Sequence, residues 1–521
     1  MHIQLLHPPT FVAQGNLQNS RPSPPLGLAY VAAALRKAGH DCTVIDAIAE
    51  APTQTISAGP LLNRLGLTDD EILKRIDPKS PALAITNMFS FNWATLRQLI
   101  AKVRGRFPKK IIVCGGEHFT GLPELCMRSA PIDYLVMGEG EDIAVELFER
   151  LEGDTDFDAA TIKGLGWRRD GEIVLNARAT RTRAVDDIPW PAWDLFDVES
   201  YNAHKLLSGL HYGKTLPILA TRGCPYQCTY CSSPQMWTTR WYARDPVNVV
   251  DEIEHHHRRF GANSFPMQDL TMIIKKDWVI RFCQEIIDRR LDITWQLPSG
   301  TRCEVIDDEV APLLRQSGCK FICYAPESGS ERTRELIKKK MKTTSLFAAV
   351  DAAVRARLRL QTFFVIGFPH DTREDLRQSA QLARHLARKG AEDLAVSFFF
   401  PIPSTELFNY LESRGRVTAS DGHLMAPVFN HHWRLTEERN YCEQLSASQL
   451  TRWKYRIVLT FYLTSWVTYP TRFFRVIWNA LCGRETSPLE KFLGERARKL
   501  LARRRSSGIP PDRSLIRADG A

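Results

Sequence analysis

The sequence predicts an α/β protein with two successive parallel β/α arrays. The first is an open, doubly wound sheet over residues 1–155; the second is a partial barrel of six strands over 206–415, followed by a mainly helical region over 416–521. Three observations carry this prediction. Val- and Ile-rich runs alternate with amphipathic helical stretches, the pattern of a parallel sheet covered on both faces. The alternation breaks at residues 156–205, which read as a hairpin and a linker. A chain of 521 residues is also too long for one hydrophobic core.

In order, HIQLLHP (2–8) reads as a strand and RPSPPLG as a turn. A helix follows with Leu28, Val31, Ala32 and Leu35 at i, i+3, i+4 and i+7, closed by Gly39. Strands are predicted at DCTVIDA (41–47), PALAITNMF (81–89), KKIIVCGG (109–116) and DYLVMGEGE (133–141). Between them lies a helix that turns Trp93, Leu96, Ile100 and Val103 inward, and another spans about 142–151. Sheets of this kind bind ligands at the carboxyl ends of their strands. Here those ends are Gly115-Gly116-Glu117-His118 and Gly138-Glu139-Gly140. Their missing side chains either admit a large planar or phosphate-bearing ligand or simply form tight turns, and both readings stand. No GxGxxG follows the first strand, which disfavours a nicotinamide cofactor.

The segment GLGWRRDGEIVLN reads as a hairpin turning at Asp170-Gly171, and an extended connector follows it. Barrel strands are predicted near 215–221, 264–268, 292–297, 320–325, 360–367 and 393–400. Asp245 caps a helix that has Pro246 at its first position and Val249, Val250 and Ile253 on its buried stripe. Chemistry in such a barrel belongs on the loops after the strands.

Composition, with 44% hydrophobic and 25% charged residues, excludes disordered and collagen-like classes. The start lacks a basic, cleavable leader pattern, so a cytoplasmic location is expected, with thiols kept reduced. Of the twelve cysteines, nine are Cys42, Cys114, Cys126, Cys283, Cys303, Cys319, Cys323, Cys442 and Cys482, most of which fall in apolar strand or helix patterns and read as small core residues.

The remaining three stand in TRGCPYQCTYCSSPQ (221–235), directly after the first barrel strand. Cys224, Cys228 and Cys231 are spaced by four and three and have no fourth ligand nearby. Structural zinc would require that fourth ligand. His255, His256 and His257 fall mid-helix, point in different directions and read as a solvated patch. A 4Fe-4S cluster held by three thiolates, with one iron open, accounts for the pattern.

CPYQCTYC fits the CxxxCxxC signature of radical S-adenosylmethionine (SAM) enzymes. The order of parts resembles the cobalamin-binding radical SAM family, to which the anaerobic magnesium-protoporphyrin ester cyclase belongs. The resemblance covers roughly residues 1–415 and also rests on HPP (7–9), PPLGLAYVAAALRKAGH (24–40), GGEH (115–118), GEGE (138–141), PES (326–328) and the GFP of VIGFPHDTREDL (365–376). It implies an N-terminal Rossmann-like cobalamin-binding domain, then a partial (β/α)6 radical SAM barrel. The implied cofactors are a 4Fe-4S cluster, SAM and cobalamin. On this resemblance the open iron chelates SAM, and one-electron reduction releases a 5′-deoxyadenosyl radical. Tyr230 then lies by the adenine, Glu327 and Ser328 near the ribose, Arg302 near the carboxylate, Asp269 near the amino group and Gly367 beside the nucleoside. Met267-Gln268-Asp269 departs from the Gly-Gly-Glu of many relatives, which weakens the role carried to Asp269. The implied cobalamin contacts are Leu26, Gly27, Ser90, Gly115, Gly116, His118, Gly138, Glu139 and Gly140. No DxHxxG motif supplies an axial histidine; similar proteins that lack it look able to hold cobalamin without one.

The expected activity is methylation of an unactivated carbon in a small-molecule or lipid substrate, driven by an external flavodoxin- or ferredoxin-type reductant. Radical oxidation or ring closure without methyl transfer is the alternative within the family, and a non-catalytic iron–sulfur electron carrier the alternative outside it. No nucleic-acid partner is expected, because a second cysteine cluster and an RNA-binding barrel are both missing. FNHHWRL (429–435) reads either as pocket lining or as surface. The apolar stretch 456–481 contains only 15 uncharged residues in a row, from Ile457 to Thr471, too short to span a bilayer. It reads as a helix packed on the barrel or as an interfacial helix. The second reading is reinforced by residues 484–521, which hold ten Arg or Lys against five acids and would place the protein on the inner face of a membrane.

Overall fold

The computed structural model describes residues 1–13, 22–59, 62–153, 157–429 and 434–482, with Ser487, Leu489, Glu490, Leu493 and Gly494 beyond them. The first half contains β1 (His2–His7), α1 (Leu26–Lys37), β2 (Asp41–Asp46), β3 (Ala82–Thr86), α2 (Trp93–Arg106), β4 (Ile111–Gly115), α3 (Glu117–Gly121), β5 (Tyr134–Val136), α4 (Gly140–Gly153), β6 (Leu165–Arg169) and β7 (Glu172–Leu175). These strands form one seven-stranded sheet in the order β2-β1-β3-β4-β5-β6-β7. The first five are parallel; β6 and β7 add an antiparallel hairpin turning at Asp170 and Gly171, both at positive φ. Because β1 sits between β2 and β3, the connections leave in opposite directions on either side of it. The crevice that results lies at the carboxyl ends of β1 and β3. The sequence reading did not anticipate a small antiparallel sheet of Thr10–Ala13, Thr55–Gly59 and Leu62–Leu65 beside this crevice.

The second half contains α5 (Ser233–Trp237), α6 (Pro246–Phe260), β8 (Ser264–Pro266), α7 (Lys276–Asp288), β9 (Thr294–Thr301), α8 (Val310–Gln316), β10 (Cys319–Glu327), α9 (Thr343–Arg355), β11 (Arg359–Ile366), α10 (Arg373–Lys389) and β12 (Asp393–Phe398). Strands β8 to β12 are parallel neighbours in chain order. The strand expected at 215–221 is irregular: it meets β8 and the loop after it only through the bridges Thr215–Ser264 and Ile218–Met267. The Leu216 and Ile218 N–H groups donate to the Ser264 and Pro266 carbonyls at 3.1 Å, but Pro266 has no N–H to return to Leu216.

The connector is packed rather than loose. Trp193 is fully buried, Ala192 N–H donates to the Ala29 carbonyl at 3.0 Å, and Arg36 pairs with Asp194 at 2.7 Å. Trp193 and Phe196 join one apolar cluster that includes Ile3 and Leu5 of β1 and Leu216 and Ile218 of the barrel. Eight of the nine remaining cysteines are buried; Cys482 is exposed, at the end of a helix whose outer face is apolar. The histidine run also needs correction. His256 is buried, four residues after Glu252 on the inward stripe of α6, because Arg244 is buried there and takes Glu252 as its counter-ion.

Residues 430–433 of FNHHWRL, and all but five residues of the basic tail, lie outside the described residues. After the barrel come α11 (Ala447–Thr468) and α12 (Pro470–Cys482). No described helix is long and apolar enough to cross a membrane.

Candidate active site between two loop faces

The cysteine loop enters on Thr221–Arg222, which pairs with Tyr242–Ala243. Gly223 has φ +86, and a Cβ there would lie 2.2 Å from the Arg240 carbonyl, so only glycine lets the chain turn into the loop. The three thiols are partly exposed. Burial pushes each of them up, Cys231 to about 12, while the Ser233 N–H approaches Cys231 Sγ at 3.5 Å. Lys339 and Arg302 act in the opposite direction on Cys224 and Cys228 and favour the thiolates. Three thiols on one loop facing two cations suit an anionic thiolate-held cluster, whose assembly would release their protons.

Tyr230, Arg302, Glu327 and Lys339 gather around the loop. Tyr230 Oη donates to Glu327 Oε1 at 2.8 Å, and Lys339 Nζ reaches the same oxygen at 3.1 Å. The Arg302 guanidinium stacks 4.0 Å above the Tyr226 ring and bonds to Glu304 and the Lys340 carbonyl. Glu327 has φ +63 at the end of β10, an uncommon conformation that turns its carboxylate toward Tyr230.

Ser328 lies one residue further into the fold. Its hydroxyl contacts Ser379 at 3.3 Å and accepts the Ser330 N–H at 3.1 Å. Gly367, at φ +86, packs beside Leu450. Its N–H donates to Asp371 Oδ2 at 2.8 Å, the Phe368 N–H adds a second bond at 3.1 Å, and the Thr333 hydroxyl donates to Oδ1 at 3.2 Å.

Burial raises Asp371 to about 7. A carboxyl raised in the fold contributes stability that is full below the unfolded value of 3.8 and is lost as pH rises through about 7. Asparagine can reproduce its bonds without titrating. The Tm of the native protein relative to Asp371→Asn is therefore expected to fall from pH 5 to 7 and level off by pH 8, as read by calorimetry. A flat difference would refute the shift.

Asp269 does not join this group. It is buried, its Oδ1 accepts from the Thr221 N–H and hydroxyl at 2.5 and 2.6 Å, and its Oδ2 accepts the Ala220 N–H at 3.3 Å. It pins the entry to the cysteine loop and is pushed by burial to about 6.

At the crevice of the first sheet, Gly27 is exposed, and a Cβ there, or on Gly138 at φ +100, would meet nothing within 4 Å. Leu26 is half-buried beside Gly27. Gly116 differs: a Cβ there would lie 2.6 Å from the Asn87 carbonyl, so close packing explains that glycine. Gly115 lies next to Val136, and Gly140 next to Val31. Met88 and Phe89, at the end of β3, are 57% and 49% exposed, a costly display unless a ligand covers them. Among the described residues, the Asn87 side-chain amide and Glu139 Oε2 are buried without hydrogen-bond partners. Open backbone, exposed apolar side chains and unsatisfied polar atoms fit a large amphiphilic cofactor such as cobalamin.

His118 is turned inward. Its Nδ1 meets Ser90 Oγ at 3.0 Å, its Nε2 meets Cys126 Sγ at 3.4 Å, and burial lowers it to about 3. It is a neutral packing residue with both nitrogens engaged.

The two loop faces touch. Helix α5, just past the cysteines, packs on α3, and the Trp237 indole donates to Glu117 Oε1 at 3.2 Å. Arg222, immediately before Gly223, pairs with Glu141 at 2.6 Å and Glu139 at 3.4 Å; Arg181 also reaches Glu139 at 3.3 Å. Burial opposes charge at Glu141, but Arg222 wins and holds its carboxyl below the ordinary value. Sequence reasoning missed Arg222, Arg181, Glu304 and Lys339. The signal for Lys339 was the run Lys338-Lys339-Lys340 two turns after β10, which reads as a solvated face.

Comparison with known proteins agrees with this geometry. Residues 21–148 match the B12 binding domain, and 218–383 match the Radical SAM superfamily. An uncharacterized methyltransferase of Pyrococcus horikoshii is 30% identical over 412 residues, 79% of this chain and 83% of its own. The chain belongs to the cobalamin-binding radical SAM family. This cobalamin-binding radical SAM enzyme therefore uses a 4Fe-4S cluster, SAM and cobalamin. The anaerobic magnesium-protoporphyrin IX monomethyl ester cyclase of Synechocystis is 30% identical over 66% of this chain and 64% of its own. The radical SAM methyltransferase TsrM of Kitasatospora setae, solved with cobalamin and a 4Fe-4S cluster, shares the fold at a TM-score of 0.61, with 18% identity over 79% of this chain and 78% of its own.

Proposed function

We propose that this radical SAM enzyme is a methyltransferase that places a methyl group on an unactivated carbon of a small-molecule substrate held between the two loop faces. The observation that carries the proposal is the packing of α5 on α3, which sets the cysteine loop against the carboxyl end of the first sheet. A reduced cluster supplies the electron that splits SAM, and cobalamin supplies a methyl carrier. In this reading Cys224, Cys228 and Cys231 hold the cluster. Tyr230, Glu327 and Ser328 position the nucleoside of SAM, Gly367 leaves room for it, and Arg302 and Lys339 set the charge around it. Leu26, Gly27, Gly115, Gly138, Glu139 and Gly140 border cobalamin, and Ser90 and His118 support that border from beneath. Asp269 positions the cysteine loop. The electron comes from an external flavodoxin- or ferredoxin-type protein.

The test is mass spectrometry of SAM products from anaerobically reconstituted, cobalamin-loaded protein under strong reduction. Deoxyadenosine together with S-adenosylhomocysteine is expected. The likeness to the Synechocystis cyclase supports a second reading, radical oxidation or ring closure, which deoxyadenosine alone would favour. Neither product from protein with an intact cluster would overturn both.

A further inference from the structure

We infer that α11 and α12 form a docking surface for an anionic membrane. The inward side of the pair is tied to the barrel. Ile457 and Phe461 are fully buried, Tyr462 Oη donates to Asp393, and Arg472 donates to the Gly390 and Ala391 carbonyls at 2.8 and 3.0 Å. The outward side is apolar along its length. Leu459, Leu463 and Val467 stand at i, i+4 and i+8 on α11, and Phe474, Ile477, Trp478 and Leu481 continue the surface on α12. Their exposure reaches 82% at Val467, 74% at Leu481 and 68% at Phe474. A recess of about 480 Å³ opens among Phe474, Arg475, Ile477, Trp478 and Leu481.

Charge identifies the occupant. From Ser446 to Arg484, 39 residues contain no Asp or Glu. Arg452 and Arg456 are exposed cations on α11, whereas Lys454 is buried against the barrel and Arg475 pairs with Glu392 at 2.6 Å. The rest of the tail adds nine more Lys or Arg against five acids. An apolar face rich in aromatics, beside the exposed Arg452 and Arg456 and followed by a basic tail, suits the headgroup zone of an anionic bilayer, where a helix lies flat instead of crossing. A neutral protein partner would not select for this one-signed flank.

The anchors also orient the seat. Gly390, Ala391 and Asp393 mark the amino end of β12, whereas the cysteine loop lies at the opposite mouth of the barrel. Leu450, near the start of α11, sits beside Gly367 at the carboxyl end of β11, so α11 runs along the barrel from mouth to base and docking turns that side to the bilayer. The inference does not depend on the proposed reaction.

The test is co-sedimentation of the full chain with phosphatidylcholine vesicles and with vesicles containing phosphatidylglycerol, at low and high salt. Binding is expected to be about tenfold or more tighter to the anionic vesicles and to weaken with salt. The double variant Phe474→Asp/Trp478→Asp, at two exposed positions, should lose about tenfold or more while keeping its thermal melt. Equal binding to both vesicle types, unchanged binding of the variant, or a solution dimer that the variant dissociates would overturn the inference; the last outcome would make a second copy of the chain the occupant.

Discussion

Cys228→Ala is expected to fold with an unchanged melting temperature in the absence of iron and to fail in assembling the cluster. Cys228 is only partly buried, with its thiol beside Tyr230 and a distant 3.9 Å from the Lys338 carbonyl. Removing it therefore leaves little to repack. With two thiolates instead of three, iron and sulfide content after reconstitution should fall sharply. Deoxyadenosine formation should fall by roughly 10³–10⁴-fold, the scale seen when one member of a catalytic unit is lost. Cys283→Ala is the control: its thiol is buried in α7, so it should cost stability and leave cluster content per folded protein unchanged. Native iron content in Cys228→Ala would remove the assignment of this loop.

The second large effect is expected at Arg222. Methionine there would leave Glu139 and Glu141 buried without their shared cation, beneath a Tyr30 ring that Arg222 now covers at 5.2 Å. Breaking a buried pair from one side costs about 3–5 kcal/mol, far more than any surface ion pair. Urea denaturation should show a loss of that size for Arg222→Met, and Arg222→Met/Glu141→Leu should recover part of it. Because Arg222 leads directly into Gly223 and Cys224, cluster content should fall as well, and Arg222→Lys should lie between the two. A loss under about 1 kcal/mol would mean that solvent reaches these carboxylates.

The sequence exposed the parts of this molecule whose signal is local. Periodicity located α1, α2, the parallel strands of the first array and five of the six strands expected in the second, and Asp170-Gly171 marked the hairpin. Cys224, Cys228 and Cys231 stand out by spacing, because ligands proposed for one cluster on one loop must lie close together in the chain. What escaped depends on distant partners. His118 and Asp269 look like ligand contacts in a string of letters, yet Ser90, Cys126, Ala220 and Thr221 engage their polar atoms. Lys339 and Arg222 carry no local mark of a site residue; it is the fold that sets Glu327 and Glu141 against them. Pro266 shows the reverse error, since the hydrophobic pattern of a strand over 215–221 survives where a proline on its neighbour removes a ladder bond. His256 was misjudged because a helical run of identical residues hides which one faces inward.

The packed connector and the buried arginine have a consequence for how this architecture can be taken apart. Trp193, Phe196, β1 and the barrel entry share one apolar cluster, and Arg222 carries charge compensation from one half to the other. The two halves are therefore not interchangeable cassettes. A chimera that grafts a relative's first sheet onto this barrel must bring matching partners for Trp193 and Arg222, or it will bare a tryptophan face and strand a buried guanidinium without its carboxylates. A substitution at Trp193 or Arg222 is therefore felt in both halves at once.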